Sequence, residues 1–132
     1  MGTPFLLLSQ RPYSEQRAIF LLRCLAGDGK RRLLARYAIG SAGGDESAVI
    51  AIARMVGIAL QSGLQFQVPD CIYIGRDEQS ILSLIARCQR IAVQHVGATH
   101  PDLRDAVNVA ALAMRRLGIY LPEITMDPAG RP

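Results

Sequence analysis

The chain has 132 residues, the size of one ordinary domain, and 50% of them are hydrophobic although aromatic residues make up only 5%. A core of this composition must be filled by aliphatic side chains, many of them Ala, which favours closely packed helices. Arginines interrupt every apolar run before it reaches the ~20 residues that cross a bilayer, so the sequence excludes a membrane-spanning segment.

Positive charge is concentrated in the first part of the chain. The formal net charge is +4, and residues 1–40 carry seven basic side chains against two acidic ones. Fourteen of the fifteen basic residues are Arg. Because this preference is typical of GC-rich bacterial coding, it indicates coding bias at least as well as phosphate binding.

The cysteines Cys24, Cys71 and Cys88 are an odd number and show no paired spacing. This pattern favours reduced thiols over a disulfide framework. The first residues show neither a secretory signal nor a complete myristoylation motif. We therefore expect a cytoplasmic protein.

The first predicted element is an N-terminal arm, residues 1–13, which holds two prolines and no sustained periodicity. A helix is predicted over 14–26, where the Gly27-Asp28-Gly29 turn ends it. A second helix is predicted over 30–39. Its pattern predicts that the side chains facing the core are Leu33, Leu34, Tyr37 and Ala38.

The third predicted helix, residues 45–62, is apolar around most of its circumference. Such a helix is normally buried on several sides or lies in a subunit interface. We therefore predict that it is the central helix of the fold. As candidate association face we select the strip Ser47, Ile50, Arg54, Gly57 and Gln61.

Two β-leaning segments follow, residues 64–68 and 71–75. They are consistent with a minor β-hairpin over 64–74 or with an extended connection across the bundle. A fourth helix is then predicted over 77–96, and it opens with acidic residues that the helix dipole favours.

The fifth predicted helix spans residues 102–117, and Gly118 ends it. Residues 122–132 are predicted to form a C-terminal tail. The sequence thus predicts an all-α fold, a compact bundle of about five helices in a single domain over residues 14–121.

A metal site would have to use Cys71, Cys88, His95 and His100, which are the soft metal ligands near one another in the sequence. Structural zinc normally uses close pairs such as Cys-x-x-Cys, which the chain lacks. The apolar neighbours of Cys88 disfavour a reactive thiolate. We predict no metal, cofactor or catalytic residue, and a small metal- or thiol-dependent enzyme is the third hypothesis.

A basic cluster supports the second hypothesis, a nucleic-acid-associated regulator. Its members are Arg23, Lys30, Arg31, Arg32 and Arg36. A helix-turn-helix made of the second and third predicted helices would present an acidic end to the major groove, so sequence-specific reading of bases is not expected. Such a cluster would attract nucleic acid weakly and in a salt-sensitive manner.

The first hypothesis is a non-enzymatic module that acts by protein association. The apolar excess for a chain of this size favours self-association, most simply as a two-fold dimer. The protein would then act as a homodimer or as a subunit of a complex with a protein partner. No membrane partner is expected, and the sequence identifies no substrate or ligand.

Overall fold

The computed structural model describes residues 6–90 and 101–126, and five α-helices dominate these residues. In chain order the helices are α1 (Tyr13–Leu25), α2 (Gly29–Ser41), α3 (Glu46–Gln61), α4 (Arg76–Cys88) and α5 (Pro101–Arg116). Short 3-10 helices lie at Leu8–Gln10 and Glu123–Met126. The predicted all-α fold of about five helices is confirmed.

Local capping sets several of the helix ends. The side chain of Asp28 accepts a hydrogen bond from the N–H of Arg31 at the start of α2, and Asp45 accepts one from Ala48 at the start of α3. After α5, Gly118 has a φ of +82°, a conformation that glycine adopts without a Cβ penalty. These signals are local, and at these three helix ends the predicted boundaries lie close to the observed ones.

A minor antiparallel sheet connects the N-terminal arm to the body of the protein. Strand β1 (Leu6–Leu7) pairs with β2 (Tyr73–Ile74). Residues 64–68 do not belong to it, so the strand partner differs from the one expected in a 64–74 hairpin. The N–H of Gln67 donates instead to the Glu78 carboxylate, which holds that segment as an extended connection.

The most enclosed helix is α1. Eight of its residues are buried, and it packs against α2, α3 and α4. Helix α3 packs against α1, α2 and above all α5, but its opposite side lies in solvent. The prediction that α3 is buried on several sides is confirmed in part: α3 packs against three other helices, as α1 does, but the side that carries Ile50 is exposed.

Helix α2 turns a different side to the core from the predicted one. Ala35 and Ile39 are buried, whereas Leu33, Leu34 and Tyr37 are exposed. The apolar side chains of α2 form two rows, one with Ala35 and Ile39 and the other with Leu33, Leu34 and Tyr37. The first row faces the core, because the small side chain of Ala35 lets α2 lie closer to α1. The larger apolar side chains are left outside.

A buried ion pair joins α1, α4 and the connection between α3 and α4. Arg23 Nε donates to Glu78 Oε2 at 2.8 Å, and Arg23 Nη2 donates to Glu78 Oε1 at 2.9 Å. Neither side chain is exposed to solvent. Arg23 also donates to the carbonyl oxygens of Cys71 and Tyr73 at 2.8 and 2.7 Å, so it holds the connection against α1.

The carboxylate of Glu78 is equally well engaged. Besides Arg23, it accepts the backbone N–H groups of Gly75 at 2.8 Å and Gln67 at 2.9 Å. Burial by itself raises the pKa of Glu78, but the hydrogen bonds from Arg23 and from the two N–H groups outweigh it. The pKa of Glu78 therefore lies below its ordinary value.

The buried amide of Gln89 holds the segment that follows α5. Its side chain donates to two carbonyl groups and accepts one N–H, which belong to Ala111, Ile119 and Leu121. Arg115 donates to the backbone carbonyl of Gln89, so this oxygen has a side-chain partner where α4 ends. The predicted continuation of the fourth helix beyond Cys88 is wrong at residues 89–90, because the N–H of Arg90 bonds to the carbonyl of Arg87 and closes the helix in a turn. Residues 91–96 lie outside the described residues.

The first part of the predicted tail packs on the bundle. Thr125 is buried, and its hydroxyl donates to the carboxylate of Glu15. Ser83 of α4 donates to the carbonyl of Met126 at 2.8 Å. Residues 127–132 lie outside the described residues.

Replacing the buried carboxylate should strongly destabilise the fold. Glu78→Gln leaves Arg23 in the core without a counter-charge, and we expect the free energy of unfolding to fall by about 3–5 kcal/mol. Urea denaturation followed by circular dichroism measures this. Glu46→Gln is the matched control, because Glu46 pairs with Arg36 at 2.9 Å while their side chains remain 60% and 51% exposed. The control should lose less than about 1 kcal/mol, and equal losses would contradict the assignment.

The Glu78 carboxylate should also make stability depend on pH. Because its pKa is lowered in the folded state, its contribution is fully present above the ordinary value of 4.5 and is lost as the pH falls through the folded pKa. The difference in unfolding free energy between wild type and Glu78→Gln should shrink between about pH 6 and about pH 3. A difference that stays constant over this range would contradict the lowered pKa.

Candidate functional site

The structure separates the five members of the predicted basic cluster. Arg23 lies in the core, where no ligand can reach it. Arg36 pairs with a carboxylate of α3, and Arg31 is half-buried. Lys30 and Arg32 are exposed. The cluster therefore does not form one continuous basic surface.

The candidate association face on α3 forms a strip on the surface. Ser47, Ile50, Arg54 and Gln61 are exposed, and Gly57 is half-buried. Their spacing of three and four residues places them on one side of the helix. Ile50 is the large apolar side chain of this strip, so the strip offers little apolar area.

A larger apolar surface lies on α2. Leu33, Leu34 and Tyr37 are 66%, 54% and 76% exposed. Their spacing places them on one side of α2, and Lys30 lies one turn before them. We call these four residues the outer face of α2.

A groove runs between α1 and α2 beside this face, with a volume of about 320 Å³. Its walls and floor include Tyr13, Arg17, Phe20, Ala38, Ala42 and Leu117. Leu34 precedes Ala38 by one helical turn, so the outer face of α2 continues the wall of the groove. None of the described residues that line the groove is acidic.

Arg17 brings positive charge to the groove. Its guanidinium donates to the carbonyl oxygens of Leu117 at 3.3 Å and Gly118 at 3.4 Å. It also lies 6.0 Å from the centre of the Tyr13 ring. Leu117 and Gly118 directly follow the C-terminal end of α5, where the helix dipole favours a cation. Arg17 is therefore held in place before any ligand binds.

Sequence reasoning did not select the residues of this groove. The available signal was the recurrence of Tyr13, Arg17 and Phe20 at spacings of four and three residues on one side of α1. This pattern lies beside the more strongly apolar row that faces the core. This pattern indicates a groove only when the position of α2 is known.

The described residues do not assemble a metal centre. Within residues 6–90 and 101–126, no group of three or more His, Cys, Asp or Glu side chains could hold a metal ion. His95 and His100 lie outside these ranges. The third hypothesis, in which they meet Cys71 or Cys88, is not tested by the described residues.

The thiols differ in their access to solvent. Cys24 and Cys88 are buried, and Cys71 is half-buried. Burial raises the pKa of the Cys24 thiol, and the charge of Arg31 offsets only part of this. At neutral pH Cys24 is therefore a thiol in the core rather than a reactive thiolate.

Comparison with protein families, with curated proteins and with solved structures found no match to this chain. In the part of the chain that the structure describes, no helix has the length and apolar character to cross a bilayer. The candidate surface on α1 and α2 therefore depends on the physical features of these residues alone.

Thiol labelling should distinguish the three cysteines. In native protein treated with a chromogenic disulfide reagent, we expect Cys71 to react rapidly, and Cys24 and Cys88 to react only as fast as the protein opens. In denaturant all three should react at similar rates. Cys71→Ser is the control that removes the fast phase. A fast phase that survives this substitution would contradict the burial of the other two thiols.

Proposed function

We propose that this protein is a non-enzymatic association module, which acts as a homodimer or as a subunit of a complex. Its binding surface is the outer face of α2 together with the adjoining groove. The observation that carries the proposal is the exposure of Leu33, Leu34 and Tyr37 in the folded chain. Contiguous exposed apolar side chains of this kind mark interaction sites in soluble domains.

The magnitude of apolar burial supports a role in binding. Full burial of a large apolar side chain contributes about 1.5–3 kcal/mol. Because these three side chains expose half or more of their surface, covering them contributes on the order of 3–5 kcal/mol. This amount suits the centre of an interface but does not by itself offset the entropy lost on association. The groove is therefore part of the binding surface.

The strip on α3 supports association less strongly. It combines Ile50 with polar or small side chains, so covering it removes less apolar area from water. Nucleic-acid association is also less well supported, because Arg23 is buried and Arg36 already has a carboxylate partner. Both remain alternatives that the same experiment can distinguish.

Site-specific photocrosslinking in the native cell tests the proposal without assuming the partner. A benzophenone amino acid replaces Leu34 in one variant and Ile50 in its matched control, since both residues are aliphatic, lie within helices and are 54% and 59% exposed. We expect a discrete adduct from position 34, whose mass identifies either a second copy or another protein. We expect none from position 50.

A second substitution shows whether the adduct is specific. Tyr37→Asp places a charge in the centre of the outer face and should abolish the adduct from position 34 without unfolding the protein, because Tyr37 is exposed. Adducts only from position 50 would move the binding surface to α3. Adducts to nucleic acid, or none from either position, would contradict the proposal.

A further inference from the structure

We infer that the outer face of α2 and its groove bind an acidic amphipathic helix of another protein. This inference depends on the proposed association function and goes further by naming the chemistry of the partner. It is carried by charge complementarity: the apolar surface is bordered by cations, and α2 provides no anion to balance them.

The charge of α2 is entirely positive. Its sequence contains four basic residues and no Asp or Glu. Acidic residues in the first turn normally complement the positive end of the helix dipole, whereas here Lys30, Arg31 and Arg32 add to it. The exposed Lys30 and Arg32 therefore make the first turn of α2 electropositive, and Lys30 lies on the same side of the helix as Leu33 and Leu34.

Two carboxylates lie next to α2. Asp28 accepts the neutral N–H of Arg31 as the helix cap, so it keeps one negative charge against the three cations of the first turn, Lys30, Arg31 and Arg32. Glu46 of α3 pairs with Arg36 at 2.9 Å. In the described part of the chain, neither Lys30 nor Arg32 has an ion-pair partner. A bound partner can supply those anions.

The shape of the surface fits a helix. An amphipathic helix that lies in a groove inserts apolar side chains spaced three and four residues apart. The groove of about 320 Å³ has room for such side chains between Phe20 and Ala38. Acidic residues of that helix would meet Lys30 on the outer face of α2 and the positive charge of Arg17 at the groove.

Other occupants fit these features less well. A second copy docked through the same face would present another α2 without carboxylates, so the cations of both copies would remain unbalanced. An anionic membrane would match the charge but would not fill a concave groove. Single-stranded nucleic acid would match the charge but binds through stacking aromatic side chains, whereas Leu33 and Leu34 are aliphatic.

Fluorescence anisotropy with two designed peptides tests the inference on the full chain. Both peptides have about 18 residues, near the length at which isolated helices become stable. Both carry Leu at helical spacing. At the charged positions one peptide has Glu and the other has Lys, and they are otherwise identical. We expect the Glu peptide to bind at least about tenfold more tightly than the Lys peptide. The preference should fall as salt rises from about 0.1 M to about 1 M, where the Debye length shortens from about 10 Å to about 3 Å.

Charge reversal and a matched pair of variants complete the test. Lys30→Glu combined with Arg32→Glu changes only exposed side chains and places anions where the helix dipole favours them, so the fold should survive. This variant should bind the Lys peptide in preference to the Glu peptide. Leu34→Asp should weaken binding of the Glu peptide at least about tenfold, whereas Ile50→Asp should leave it unchanged.

The outcomes separate this inference from the association function. Equal binding of the two peptides, or binding of anionic phosphatidylserine vesicles or single-stranded DNA that Leu34→Asp abolishes, would overturn the acidic helix as partner. A crosslink to a second copy together with no binding of either peptide would overturn it too, while the association function stands. No peptide binding and no adduct at position 34 would overturn both.

Discussion

The ion pair between Arg23 and Glu78 is the interaction on which the rest of the structure depends. Two charges placed in a core lose several kcal/mol of hydration each, and they are tolerated only when every remaining donor and acceptor finds a partner. Here Arg23 uses two backbone carbonyls and Glu78 uses two backbone N–H groups. Among the described residues, no buried side-chain N or O atom lacks a hydrogen bond. The same contacts hold the long connection between α3 and α4, most of which has no regular secondary structure.

This arrangement leaves α2 with a distinct role. Helices α1 and α4 are joined through the ion pair, and α3 and α5 pack through small side chains. Among the described residues, the main helix neighbours of α2 are α1 and α3, and its buried side chains are Ala35 and Ile39. Because the fold requires so little from α2, its remaining side chains can serve binding. The positive charge and the large apolar side chains on its outer face are then explained together.

Local signals in the sequence predicted much of the fold, and non-local interactions account for what it did not predict. Asp28, Asp45 and Gly118 act on their own neighbours, so helix ends could be derived from them. Arg23 meets a carboxylate 55 residues away, and nothing near it in sequence separates it from the exposed arginines of α2. The α2 helix has two apolar rows, and only the position of α1 determines which one is buried. The candidate site contains the row that stays exposed, Leu33, Leu34 and Tyr37. Because the position of α1 determines which row is exposed, the site could not be derived from the sequence.

The most direct measurement is a chemical-shift map on the ¹⁵N-labelled protein as the Glu peptide is added. If the exposed row of α2 is the binding surface, the amides of Leu33 to Ala38 and of Phe20 will shift together and saturate with one affinity. The amides along the α3 strip, from Ile50 to Gly57, will not move. Shifts concentrated on the α3 strip, or no shifts at peptide concentrations that saturate anisotropy, would contradict the assignment of this surface.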